Sequence, residues 1–164
     1  YTGGATMACA AAGAQVCHCD AAKGMVQWAR ENRELSGLPE ESTRWIVDDA
    51  RKFVLREQRR GNTYDAILMD PPSYGRGPKG EIWKIEEQIH SFVQLTTQVL
   101  KEEPLFFLIN SYTTGLAPSA VTYIMETVIS KKFGGHTESQ ELGLPVTESG
   151  LALPCGVTTR WTAK

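Results

Sequence analysis

The run Ala66-Ile67-Leu68-Met69, stopped at once by Asp70-Pro71-Pro72, is the feature that most constrains how this chain can fold. Four apolar residues without alternation predict a strand buried on both faces, as in parallel sheets covered by helices. Proline has no N–H to offer a ladder, so the pair ends the strand and leaves Asp70 at its carboxyl end. In open α/β sheets, ligands bind just outside those ends. The prolines fix the backbone direction and are expected to leave carbonyls free to accept from a substrate amine or ring N–H. Tyr74 adds a flat face on which a planar group can stack. Asp70, Pro71, Pro72 and Tyr74 are therefore the candidate catalytic set. The bland alternative is a strand that simply ends at a turn, and the motif alone does not decide between them.

The rest of the chain alternates short apolar runs with amphipathic segments, which predicts βαβ units around a mostly parallel sheet, an α/β fold of Rossmann-like type. An alanine-rich helix follows Gly3-Gly4 and stops near Gly13. Strands are expected over 15–19 and 44–47, each followed by a helix, the first ending at Gly37-Leu38-Pro39 and the second stopping at Gly61-Asn62. Residues 73–80 read as a glycine- and proline-rich loop. Ile85, Ile89, Phe92, Val93, Thr96 and Val99 line one face of a long helix, and 105–109 is a second buried strand. Pro118 suits the first turn of a helix running to about residue 130. Past Gly134-Gly135 the alternation stops: 136–142 and 151–161 predict an antiparallel hairpin closing the sheet, with Pro154 at an edge or a bulge.

Three successive strands end in acids: Asp20, then Asp48-Asp49, then Asp70. Gly3 and Gly4 let backbone approach a ligand closely, and the helix they open presents unpaired N–H groups. Asp20 lies about 16 residues past the glycines, near where an acid grips ribose hydroxyls in dinucleotide-binding units. Asp49 could accept from an exocyclic amino group such as that of adenine. Each acid, taken singly, is as well explained as a helix N-cap. Three in register with a glycine turn and Asp-Pro-Pro-Ser-Tyr are harder to assign to capping alone.

Composition excludes several classes. At 164 residues and a net charge of −2, the chain is one domain that does not announce nucleic-acid binding by charge. No apolar stretch approaches 18 residues and no signal peptide opens the chain, so a cytoplasmic location without membrane contact is expected. Cys17-His18-Cys19 has no second ligand pair, and no metal site is expected. Arg51, Lys52, Arg56, Arg59 and Arg60 crowd one helix, where interleaved Glu57 and a surface position favour a solvated face over phosphate binding. Arg76 and Lys79 border the proposed site and are the better phosphate candidates. Trp45 and Trp83 read as core. The chain opens directly on Tyr1-Thr2-Gly3-Gly4, a loop that should follow a strand, so a first strand is expected to be absent from this chain.

This set of features resembles the class I S-adenosylmethionine-dependent methyltransferases. Tyr1-Thr2-Gly3-Gly4 is similar to their glycine loop, Asp20 to the ribose acid, Asp49-Ala50 to the adenine-side acid, and Asp-Pro-Pro-Ser-Tyr to their motif IV. Over the runs WARENRELSGL, DPPSYGRGPKGEIWKIE and LGLPVTESGLALPCG the chain resembles the catalytic domain of the bacterial large-subunit ribosomal RNA (cytosine-5)-methyltransferase group. The resemblance implies a seven-strand sheet whose last strand is antiparallel. It implies S-adenosyl-L-methionine as cofactor, held by Tyr1, Thr2, Gly3, Gly4, Ala5, Asp20, Ala21, Asp49, Ala50 and Asp70, and ribosomal RNA as substrate. It breaks at one point. Cytosine-5 methylation needs a thiolate that adds to the base, and the position of that cysteine holds Thr113, whose hydroxyl is far too basic to serve. Cys155 is the only cysteine outside the early helix and strand, and nothing in the sequence places it near the site.

The expected activity is therefore direct methyl transfer to a nucleobase in ribosomal RNA. N-methylation of a protein or small molecule stays open, as does a cofactor-binding domain without catalysis that serves RNA or ribosome binding. An NAD-dependent oxidoreductase fits less well, because the glycine loop is not G-x-G-x-x-G. Oligomeric state is not legible, and a homodimer stays among the alternatives.

Overall fold

A computed structural model describes residues 1–77 and 80–163. The chain divides into two compact units, Tyr1–Arg60 and Gly61–Lys164.

In the first unit, β1 (Val16–Asp20) pairs in parallel with β2 (Thr43–Val47), Asp20 lying opposite Val47. Helices α1 (Gly4–Ala11), α2 (Lys23–Leu35) and α3 (Ala50–Arg60) pack on this ribbon. Each helix buries only a narrow stripe, with Val26 and Ala29 buried on α2 and Phe53 and Val54 on α3. The spacing of three to four residues between such positions is what amphipathic helices require. Gly13 and Gly37 follow their helices at positive φ, as the sequence anticipated for C-terminal stops.

Glu57 departs from the expected solvated face. It sits one turn past Phe53 on the buried side of α3, with no exposed surface. Its carboxylate meets Arg44 of β2 at 2.9 Å and Arg60 at 3.3 Å. The Arg44 guanidinium also lies over the Phe53 ring. A buried carboxylate is tolerable only when paired in this way, so helical register and not sequence neighbourhood decided its place. Arg56 pairs with Asp48, so this basic helix spends much of its charge within the unit.

The second unit is built on a four-stranded mixed sheet of order β3-β6-β8-β7. Strand β3 (Ala66–Met69) runs parallel to β6 (Phe106–Ser111), and β6 pairs antiparallel with β8 (Ala152–Thr162). The edge strand β7 (His136–Pro145) pairs antiparallel with β8. The C-terminal hairpin is thus present, but its later strand lies inside the sheet. Among the described residues the long strands form a pair and a mixed four-stranded sheet, and not one mostly parallel seven-strand sheet. The hairpin accounts for the mixture, since every pairing of β8 is antiparallel.

Two further expectations are corrected. Strand β3 is not buried on both faces: Ile67 and Met69 pack on the core, while Leu68 is 36% exposed. The alternation of a strand puts Leu68 on the other face. The expected loop 73–80 contains structure, because β4 (Tyr74–Arg76) and β5 (Ile82–Lys84) form a short antiparallel ribbon before α4 (Ile85–Thr97). Helix α5 (Pro118–Met125) continues through a π turn, Glu126–Ser130, into α6 (Lys131–Phe133). The core joins Ile85, Ile89 and Val93 of α4 to Phe107 and Ile109 of β6, Val121 and Met125 of α5, and Trp161. No helix among the described residues is long and apolar enough to cross a membrane.

Candidate functional site

The candidate residues fall in both units. In the first, the glycine turn is built by close packing. Gly3 has φ +89, and a Cβ there would lie 2.9 Å from the Ala29 Cβ of α2. Only glycine combines that dihedral with that approach. The Gly3 carbonyl accepts the Met7 N–H at 2.8 Å, which starts α1. Asn32 of α2 donates to the Thr2 carbonyl at 2.9 Å, and the Tyr1 nitrogen lies 2.7 Å from Asp20 Oδ2. Asp20 Oδ1 accepts the Ala22 N–H at 2.7 Å. Asp20, at the end of β1, thus holds the turn on one side and the entry to α2 on the other.

Asp48 and Asp49 follow β2. Asp49 Oδ1 accepts the Lys52 N–H at 2.9 Å, so it does cap α3, and Asp48 Oδ1 accepts the Asp49 N–H at 2.9 Å. The capping alternative is therefore real for Asp49. A carboxylate carries about four acceptor lone pairs, so one cap bond does not exhaust it. His18 points away from the neighbouring cysteines and shares a 2.8 Å hydrogen bond through Nδ1 with Thr6 of α1.

Burial pushes the Cys19 thiol up to about 12, the charges of Cys17, Asp48 and Asp20 adding to it and Arg56 opposing. Its thiol points at the Asp48 carbonyl, 3.6 Å away. Reactivity needs the thiolate. Iodoacetamide at pH 8 is expected to alkylate exposed Cys155 while Cys19 stays unmodified until denaturant is added, read by peptide mass spectrometry. A folded pKa raised above the ordinary value of 9.0 favours the native state fully below that pH. The favour is lost as pH climbs toward 12, so Cys19→Ala should show a smaller loss of stability between pH 9 and 11 than the parent. Equal labelling of Cys19 and Cys155 in the native protein would contradict both expectations.

In the second unit, β3 delivers Asp70 to its carboxyl end as the sequence predicts. Asp70 is exposed and has no hydrogen-bond or ion-pair partner among the described residues, while Pro71 is buried. The loop after it is pinned at several points. Trp83 of β5 donates its indole N–H to the Pro72 carbonyl at 2.6 Å, and the Ser73 carbonyl accepts the Ile85 N–H at 3.1 Å. The Ser73 hydroxyl shares a 2.6 Å hydrogen bond with Thr113. The expectation that the proline carbonyls stand free thus needs correcting at Pro72, whose acceptor is used; that of Pro71 has no partner among the described residues. Trp83 packs edge-on against Phe92 of α4, with centroids 5.7 Å apart, so the core holds the loop through this indole. Tyr74 is half exposed, and its hydroxyl accepts from Arg76 Nε at 2.8 Å. Lys79 lies outside the described residues.

Sequence reasoning missed Tyr112. It follows β6 directly, is 52% exposed, and its ring lies on Gly156 of β8, where a Cβ would come within 2.7 Å of Cδ1. Burial raises its phenol above the ordinary value, and the charges of Asp70 and Cys155 add to the rise. Cys155, next to Gly156, is therefore near this end of the sheet, a placement nothing in the sequence indicated. The bulge near Pro154 is the reason: Leu142 pairs with Gly156 and Gly143 with Pro154, so Cys155 is the extra residue. The proline was the available signal for that bulge.

No family model matches the chain. A crystal structure of the SAM-dependent methyltransferase from Agrobacterium tumefaciens superposes with TM-score 0.90 and 36% identity, covering 100% of this chain and 54% of that one. A methyltransferase solved in complex with SAH, SMU.776, superposes with TM-score 0.75 at 22% identity, over 99% of this chain and 43% of that one. Ribosomal RNA large subunit methyltransferase I of Photobacterium profundum is 35% identical over 75 residues, which are 45% of this chain and 19% of that protein. This chain spans about half the length of the Agrobacterium protein, and its match to the curated relative covers about a fifth of that relative. The chain has the S-adenosylmethionine-dependent methyltransferase fold, a Rossmann-like architecture with a mixed sheet, and counts ribosomal RNA large subunit methyltransferases among its relatives.

Proposed function

We propose that this chain is the methyl-transfer domain of an S-adenosyl-L-methionine-dependent enzyme that methylates a nucleobase of ribosomal RNA in the cytoplasm, by direct transfer. The observation that carries the reading is Asp70: an exposed carboxylate at a strand end, without a partner among the described residues and followed by a loop locked by Trp83 and Thr113. Preorganisation of this kind is what transfer without a covalent intermediate demands, because catalysis is then positioning and charge placement.

The first unit fits the donor. The Tyr1-Thr2-Gly3-Gly4-Ala5 turn opens α1, whose N-terminus has no side-chain cap, and Asp20 and Asp49, beside Ala21 and Ala50, offer carboxylate oxygens for ribose hydroxyls and the adenine amino group. The SAH held by a structural neighbour of the same fold supports this assignment. S-adenosyl-L-methionine supplies an electrophilic methyl group on sulfonium. Asp70 accepts one N–H of the acceptor nitrogen and the Pro71 carbonyl a second, which raises electron density on nitrogen and aims its lone pair. Tyr74 stacks the acceptor's ring. The N–CH3 bond would form as the sulfonium C–S bond breaks, the donor leaving as the neutral thioether, and the nitrogen's proton would pass to the Asp70 carboxylate.

Thr113 supports a non-covalent route over the cytosine-5 route of the group the sequence resembles. Its hydroxyl is engaged by Ser73, and by the sequence resemblance it takes the position of the cysteine whose thiolate that route requires. Incubation of the full-length protein with labelled donor and unmodified large-subunit ribosomal RNA, followed by nucleoside mass spectrometry, should yield a methylated base other than 5-methylcytosine. An adduct trapped by 5-fluorocytosine RNA, on Cys155 or elsewhere, would overturn the direct route. Label retained in protein and absent from RNA would overturn the substrate.

A further inference from the structure

Tyr112 has no role in the reading above, yet the structure binds its surroundings to the Asp70 loop. Met69 pairs in register with Ile109, so Asp70 and the residues just past Ile109 leave the sheet side by side. Thr113, next to Tyr112, is joined to Ser73 by a 2.6 Å hydrogen bond. The Tyr112 ring rests on Gly156, with a Cβ at that position blocked by Cδ1 at 2.7 Å and Cε1 at 3.2 Å. A residue fixed on one side by backbone and 52% exposed on the other is a rigid aromatic surface.

Most half-exposed tyrosines are scattered and carry no message. Three facts separate Tyr112 from those. It stands at the carboxyl end of a strand parallel to β3, where this architecture gathers ligands. Its underside is a glycine that no other residue could replace without moving the ring. Its hydroxyl feels the Asp70 charge, so the ring and the candidate acid share one local field. Tyr74, the aromatic that the motif supplies, has its hydroxyl engaged by Arg76.

We infer that Tyr112 is a second stacking surface, in addition to Tyr74, for a planar nucleobase whose polar edge faces Asp70, and so a binding residue of the acceptor site that takes unpaired bases. The inference rests on the reading of Asp70 as the acceptor-side acid. Base stacking on an aromatic residue tolerates any base and contributes strongly to single-strand binding. A base read in this way must be out of its duplex or in a single-stranded segment, so unpaired RNA is the substrate class this surface takes.

The test is titration of the full-length protein with a single-stranded RNA oligonucleotide carrying one 2-aminopurine, with an abasic oligonucleotide as control. Stacking quenches the probe. The parent and Tyr112→Phe are expected to bind and quench alike, because the ring suffices. Tyr112→Ala and Tyr112→Leu should bind about tenfold more weakly, with donor affinity by calorimetry unchanged. Leucine keeps bulk over Gly156, so its failure cannot be blamed on a collapsed strand end. No quenching by the parent, less than a threefold loss in the alanine and leucine variants, or an equal loss in the phenylalanine variant would overturn the inference. Methyl transfer is measured in parallel: quenching that depends on Tyr112 without any transfer to RNA would defeat the proposed activity and leave the stacking surface standing. Transfer that ignores Tyr112 would do the reverse.

Discussion

Asp70→Ala is expected to lower methyl transfer at saturating donor and RNA by about a hundred- to a thousandfold, with donor affinity within twofold of the parent. That size is typical for removal of one preorganised group that meets charge developing in a transition state. Asp70 is exposed and unpartnered among the described residues, so its loss breaks no internal bond and leaves no buried group unsatisfied. The Pro72 carbonyl stays on Trp83 and Ser73 stays on Thr113, so the loop keeps its course. Asp70→Asn keeps a carbonyl acceptor but loses the charge, and about a tenfold loss is expected. A structural role would move both variants together with the melting temperature. A role confined to the donor pocket would instead weaken donor binding and spare the rate at saturation, which calorimetry and single-turnover kinetics separate.

The parts legible in the sequence were those with local causes. The end of β3 at Asp70, the glycine stops after α1 and α2, and the first turn of α5 at Pro118 follow from residues that act on their own backbone. The parts that were not legible depend on pairing across distance. Nothing near Glu57 says that Arg44, thirteen positions earlier on a strand, will neutralise it in the interior. The Pro72 carbonyl looked free because the sequence gives no reason for Trp83 to reach it; only the β4–β5 ribbon brings the indole there. Tyr112 went unseen for the same reason, since its seat is made by Gly156, on a strand 44 positions later. The candidate acids show the limit of motif reading most directly: Asp49 caps its helix and Asp20 holds the glycine turn, so the same residues that suggest a ligand also have structural work.

Gly135→Ala is expected to destabilise the second unit by about 3 kcal/mol or more, combining left-handed backbone strain with overpacking. Gly135 has φ +84, and a Cβ there would collide with the Thr162 carbonyl and lie 2.6 Å from Trp161 Nε1. Neither neighbour can give way cheaply. Thr162 is paired in β8 with His136, and Trp161, fully buried, donates its indole N–H to the Gly134 carbonyl at 2.8 Å. Moving the indole would break that bond and open the core cluster at its largest side chain. Gly150→Ala is the matched control, in the turn of the same hairpin at φ +69 with open space around the added methyl group. It should cost about 1 kcal/mol, the strain alone. Urea denaturation followed by tryptophan fluorescence reads both, and the difference between the two midpoints isolates the clash. Equal midpoints for the two variants would mean that β8 can slide away from Gly135. The hairpin would then not be anchored through Trp161, and the strand carrying Gly156 could not hold the Tyr112 ring in a fixed place.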